Sequence, residues 1–109
     1  MKAIDIMPLP LERELKQLGA GIAVARRRRR ITMALMLERT GLSKRTYQMI
    51  EKGDPRVAMG AYAMSLFALG LSGGISALAD PGKDAAGLLL EADRLPQRVR
   101  ATKPGKAAR

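Results

Sequence analysis

The stretch from Thr32 to Gly53, TMALMLERTGLSKRTYQMIEKG, constrains the fold more than any other part of the chain. Two hydroxyl residues suited to opening helices, Thr32 and Ser43, alternate with two glycines suited to closing them, Gly41 and Gly53. These marks leave room for two short helices, about 33–40 and about 44–52, with Gly41 permitting a tight turn between them. A helix of nine residues rises only about 13 Å and is not stable alone in water. Both helices must therefore be held by apolar faces supplied elsewhere in the chain.

The flanking sequence offers such faces. Leu11, Leu15, Leu18, Ile22 and Ala25 recur at helical spacing, which predicts a first helix over about 11–29 with Pro10 at its entrance. Pro55 biases Asp54 away from helix, so GDPR is a turn. Met59 to Leu69 reads as a fourth helix ended by Gly70, and Ile75 to Ala79 as a short fifth. Beyond Asp80-Pro81-Gly82, AAGLLLEADRL reads as a weak helix, and PQRVRATKPGKAAR as a flexible basic tail. The expected organisation is all-α: an N-terminal arm (1–10), a five-helix domain (11–79) and a C-terminal extension (80–109).

Residues 57–79 hold no charged side chain, a run of 23 long enough to cross a bilayer. Gly60, Gly70, Gly73 and Gly74, with Ser65, Ser72 and Ser76, would break such a span in its middle. A pair of core helices is the expectation, and no membrane partner. The N-terminus MKAIDIMPLP has too short an apolar run for a secretory signal, so a cytoplasmic location is expected.

Charge indicates the kind of partner. Lys and Arg number 20 against 10 Asp and Glu, a net +10, and residues 11–56 hold twelve of the cations against five anions. That balance suits a polyanion, nucleic acid first. The chain has no cysteine and no histidine, which removes thiolate metal sites and the commonest general base. No catalytic residue, metal site or cofactor is expected. With one Phe, two Tyr and no Trp, base stacking of the RNA-binding kind is disfavoured.

On the third helix, Tyr47 and Ile50, with Leu42 just before it, form the side that packs back on the second. Lys44, Arg45, Gln48 and Met49 project elsewhere. That outer face has the width of a DNA major groove, where Arg or Lys can donate to guanine and Gln can pair with adenine. A solvated surface helix is the plainer alternative. The Ser43 cap and the free N–H groups beside it also suit a phosphate.

The segment LGAGIAVARRRRRITMALMLERTGLSKRTYQMIEKGDP resembles the helix-turn-helix domains of the XRE family, the phage Cro and repressor type. Arg26, Ile31-Thr32, Glu38-Arg39, Gly41-Leu42-Ser43, Thr46, Ile50-Glu51 and Gly53 match its pattern. The resemblance covers about residues 18–79 and implies a lambda-repressor-like fold binding a palindromic double-stranded DNA operator as a homodimer. The implied DNA contacts are Thr32, Met33, Ser43, Lys44, Arg45, Thr46, Gln48, Met49, Lys52 and Arg56. It also implies a structural ion pair between Arg26 and Glu51. Two residues depart from the family pattern. Met33 stands where the family often has a Gln touching the DNA backbone. Leu37 stands where a small Ala usually lets two helices approach, and the flexible Met33 and Met36 are placed to absorb the difference.

The five arginines 26–30 are thus not one object. Arg26 is assigned to the ion pair, and the others to solvent or phosphate. Arg29 falls back on the apolar stripe, where a long stem can snorkel. Leu66, Leu69, Ile75 and Leu78 are dimer-interface candidates, with Tyr62 and Phe67 nearby; a core role is the equal alternative for each. GDPRVAMGAYAMSLFALGL, with LAD, DAAG and LPQRVR after it, resembles HipB-like antitoxins, which are encoded beside HipA-type serine/threonine kinase toxins. That likeness implies an autorepressor that also holds a HipA-like kinase. A protein-neutralising module with secondary DNA binding, and a stand-alone repressor, remain the alternatives.

Overall fold

The computed structural model describes residues 3–102, with side chains over 5–94, and the described residues are all-helical. The helices are α1 (Leu9–Arg28), α2 (Met33–Thr40), α3 (Lys44–Glu51), α4 (Met59–Ala68) and α5 (Ala85–Thr102). Short 3-10 segments occur at Ala3–Ile6, Ser72–Ala77 and Pro81–Lys83. The chain divides into two compact units, 1–75 and 76–109. The division falls ahead of the expected 79/80 boundary. No helix among the described residues is long and apolar enough to cross a membrane.

In the first unit, α2 and α3 form where the caps predict. Thr32 Oγ1 accepts from the Leu35 N–H at 3.1 Å, and Ser43 Oγ accepts from the Thr46 N–H at 3.1 Å. Each bond satisfies one of the orphan donors of a helix start. α1 begins two residues earlier than expected, at Leu9. Pro10 lies inside its first turn, where a missing N–H leaves no hydrogen bond broken.

α1, α3 and α4 end in the same way. The N–H of Ile31, Asp54 and Leu71 reaches back to the carbonyl of Arg26, Met49 and Leu66 at 3.1, 3.0 and 2.8 Å. This closure requires the residue just before each donor to turn left-handed. α3 and α4 place Gly53 and Gly70 there, at φ +71° and +76°, whereas α1 places Arg30 there, at φ +55°. A residue with a Cβ is strained in that conformation.

The core of this unit joins Ile22 and Ala25 of α1, Met36 of α2, Tyr47 and Ile50 of α3 and Tyr62 of α4, with Ile31 and Leu69 between and after them. Burying each large side chain contributes about 1.5–3 kcal/mol. Leu37 is half-buried and Met36 fully buried, so the bulk at 37 is accommodated at the margin of the core.

The stripe read on α1 is covered only in part. Ile22 and Ala25 are buried, but Leu11 and Leu18 are 47 % and 37 % exposed. Gly19 and Ala23, which lie outside that stripe, are buried beside Ile22 and Ala25. A Cβ on Gly19 would lie 2.4 Å from Gly53 N and 2.5 Å from Ile50 O, so α1 meets the end of α3 backbone to backbone. That close approach turns the helix and leaves the bulkier leucines outside.

The fifth helix of the sequence reading, Ile75–Ala79, is a 3-10 segment displaced to Ser72–Ala77. Gly73 and Gly74 sit within it and disfavour a regular α-helix. In the second unit α5 runs through Thr102, so part of the expected tail, from Pro96 onward, is helical backbone. Residues 103–109 of that tail lie outside the described residues. Asp84 caps α5: its Oδ1 accepts from the Gly87 N–H at 3.0 Å. Leu88, Leu89 and Leu90 of α5 are all exposed.

Candidate nucleic-acid interface

α3 is the element on which the candidate site is built. Its inner side is fixed by Tyr47 and Ile50, both fully buried. A helix of eight residues with two such anchors three apart has its rotation determined. Its outer side follows: Lys44, Arg45 and Gln48 are exposed, Met49 and Thr46 are half-buried, and Lys52 is the exposed cap residue. Ser43 Oγ donates to Thr46 Oγ1 at 3.0 Å while accepting from the Thr46 N–H, so these two hydroxyls first of all hold the helix start. Lys44 and Arg45 make no ion pair among the described residues.

The remaining candidates stand on neighbouring elements. Thr32 is exposed at the start of α2, with its hydroxyl engaged as the cap, and Met33 beside it is half-buried against the core. Arg56 lies in the turn after α3, 3.9 Å from Asp5, both exposed. A pair so exposed and so long contributes little.

α3 is tied to α1 by a polar knot behind the site. Arg26 Nε donates to Glu51 Oε2 at 2.7 Å and its Nη1 donates to the Ile31 carbonyl at 2.9 Å. The two side chains are only 13 % and 15 % exposed. The hydrogen bond to Glu51 raises the Arg26 pKa against the desolvation that opposes it. For Glu51, burial pushes the carboxyl up, but the bond from Arg26, the neighbouring Tyr47 hydroxyl and the charges of Arg26 and Arg27 outweigh it, and the net shift is downward. One guanidinium thus joins the C-terminus of α1, the start of the α2 approach and the end of α3.

Two tyrosines flank this arrangement in different ways. Tyr62 donates its hydroxyl to the Asp54 carbonyl at 2.7 Å, tying α4 to the turn after α3. Burial, with the Asp54 carboxylate adding to it, pushes the Tyr62 phenol up to about 12. The Tyr47 hydroxyl is buried beside Arg26 and Glu51 but outside hydrogen-bonding geometry. Its pKa is raised, chiefly by desolvation.

The interface candidates separate. Leu69 is buried at 4 % exposure and belongs to the core cluster, the core role that the sequence allowed it equally. It caps α4, and the Schellman closure folds it inward. Leu66 is half-buried and lines an open groove of about 490 Å³ with Leu18, Gly21, Ile22 and Leu71. Ile75 is half-buried and Leu78 is 79 % exposed. Phe67, noted only as nearby, is 70 % exposed and is the largest apolar side chain left open on α4.

Gly19 was read only as part of the first helix, and Gly53 only as a stop. A glycine within one helix facing a glycine in the turn after another carries no local sequence signal. Arg30 did carry one: a cap at Thr32 leaves three residues after α1 to reverse the chain, and no glycine stands among them. Comparison with protein-family models, with curated proteins and with solved structures gives no significant match to this chain.

Proposed function

We infer that the chain is a sequence-specific DNA-binding transcriptional regulator of the XRE, lambda-repressor-like type, reading base edges with α3. The observation that carries this reading is the split of α3 itself. A short helix with two buried anchors presents Lys44, Arg45 and Gln48 outward, without acidic partners among the described residues, in a chain of net charge +10. A major groove admits one such helix, and these side chains are the types that donate to guanine and pair with adenine. Thr32, Ser43, Lys52 and Arg56 flank α3 as phosphate contacts. Two copies related by a two-fold axis would read half-sites about 34 Å apart. Leu66, Phe67 and the groove beside them are the surface for that homodimer. The operator is the chain's own upstream region, which makes it an autorepressor.

The test is a titration against a duplex of that upstream region and a scrambled duplex of equal length. The reading expects about a thousandfold preference or more for the upstream duplex. Equal affinities would reject base reading.

A second reading is favoured by one observation. α5 leaves Leu88, Leu89 and Leu90 exposed at 46 %, 70 % and 66 %. Exposed leucines on one helix suit a protein partner. They support an antitoxin role toward a HipA-like kinase, through which the regulator holds its toxin. Co-expression of such a kinase with the parent and with Leu89→Lys tests it: the reading expects capture by the parent and loss in the variant.

A further inference from the structure

The face of α1 turned away from α3 is open along its length. The groove of about 490 Å³ beside Leu66 extends from Glu14 past Leu18 to Gly21. A second open groove, of about 470 Å³, shares Gly21 and Leu71 with it and continues past Val24 to Arg28. Leu18, Val24 and Leu71 are 37 %, 39 % and 45 % exposed. Gly21, where the two grooves meet, is itself exposed, and a Cβ there would meet nothing within 4 Å. Glycine is unfavourable in a helix interior, and no packing among the described residues requires one at this position. Gly19 differs: it meets the end of α3, and it lies about 160° round the helix from Gly21.

The residues of this face are arranged evenly about Gly21. Glu14 and Arg28 stand seven positions before and after it, and Leu18 and Val24 three positions before and after it. Seven residues are close to two turns, so Glu14, Gly21 and Arg28 share one seam. Both end charges are exposed, and neither makes an ion pair among the described residues. A two-fold axis at Gly21 makes such a face complementary to itself. Two copies of α1 then run antiparallel over roughly 21 Å, and Glu14 of each comes level with Arg28 of the other. Acid meets base at both ends, whereas a parallel pairing would set like against like.

We propose that two copies of the chain pair antiparallel through the Gly21 face of α1, with Glu14 and Arg28 forming two reciprocal ion pairs between them. The pairing rests on the homodimer of the function reading, and it gives that dimer a register and a charge code. Because α3 meets α1 on the opposite side, at Gly19, both reading helices stay outside the pair.

Charge exchange tests the register. Glu14→Arg and Arg28→Glu each set like charges together at both ends of the pair, so each variant alone should dimerise about tenfold more weakly or worse. An equimolar mixture of the two restores opposite charges at both ends and should recover dimers made of one copy of each. The double variant should recover dimers by itself. Gly21→Lys, whose side chain enters open space in one chain, should stay folded and fail to pair. Sedimentation equilibrium reads the association, and titration on the upstream and scrambled duplexes reads the DNA preference. A parent dimer that persists in both single variants would overturn pairing through α1 and leave the dimer to another surface. Single variants that are weakened but not rescued by mixing would overturn the antiparallel register. A parent that stays monomeric at the highest concentration measured would overturn the pairing and the homodimer together. The predicted pattern of rescue in a parent without DNA preference would overturn base reading and leave the pairing standing.

Discussion

Replacing Gly19 by alanine tests the way the two central helices meet. On helix propensity alone the change should stabilise α1, because glycine in a helix interior is about 1 kcal/mol less favourable than alanine. The contact reverses that sign. The new Cβ would lie 2.4 Å from Gly53 N and 2.5 Å from Ile50 O, against an ordinary contact of 3.4–4 Å. Both obstacles are backbone, so relief requires α1 and the end of α3 to part by roughly 1 Å. Overpacking of this kind costs about 1–3 kcal/mol. The same displacement would stretch the Arg26–Glu51 bond, now 2.7 Å, and weaken a charged hydrogen bond for about 1–2 kcal/mol more. After the propensity gain the net loss is about 1–4 kcal/mol, or a melting temperature lower by at least about 4 °C. Gly21, two residues along, is the internal control, since nothing lies within 4 Å of its Cβ position. Gly21→Ala should gain about 0.5–1 kcal/mol. Thermal melts by circular dichroism read both. If Gly19→Ala melts at or above the parent, as Gly21→Ala should, the backbone-to-backbone contact is refuted.

Further outcomes follow from the polar knot and the tyrosines. Glu51→Ala leaves a nearly buried guanidinium with only the Ile31 carbonyl and should cost about 2–3 kcal/mol by chemical denaturation; an unchanged midpoint would contradict the pairing. Because folding lowers the Glu51 pKa, its contribution is present above the usual value of 4.5 and is lost as pH falls through the folded value. Stability should therefore decline below about pH 4.5, and Glu51→Gln should flatten part of that decline. Tyr62→Phe removes the 2.7 Å bond to Asp54 and should cost about 1 kcal/mol, whereas Tyr47→Phe removes an unpartnered buried hydroxyl and should be neutral or stabilising. Equal losses from both would mean that Tyr47 has a partner. Arg45→Ala should leave the melt unchanged and remove about 1–3 kcal/mol of discrimination between bases.

The short helices were legible because their limits are written locally. Thr32 and Ser43 cap within three residues of themselves, and Gly41, Gly53 and Gly70 mark turns that need a left-handed residue. The inward side of α3 was legible as well, because Tyr47 and Ile50 are the bulky apolar pair on a short polar helix. Features that depend on two distant elements were not. The Arg26–Glu51 pair spans 25 residues and came from the family resemblance, not from spacing. Gly19 facing Gly53 is a property of how α1 crosses α3, and it shifted the buried face away from Leu11 and Leu18. Leu69 read equally as core or interface because burial in a core and burial in a dimer have the same sequence pattern. The extent of α5 was underestimated because Pro96 and a run of basic residues read as tail, while the observed helix continues to Thr102.

The central claim, that α3 reads bases, is tested most directly by selecting tight binders from a pool of randomised duplexes with the parent and with Arg45→Ala. The account predicts a two-fold symmetric consensus with half-sites about one helical turn apart. In Arg45→Ala, preference should relax at one base pair in each half-site while the rest of the consensus persists. Recovery of no consensus, or of the same consensus from both proteins, would contradict it.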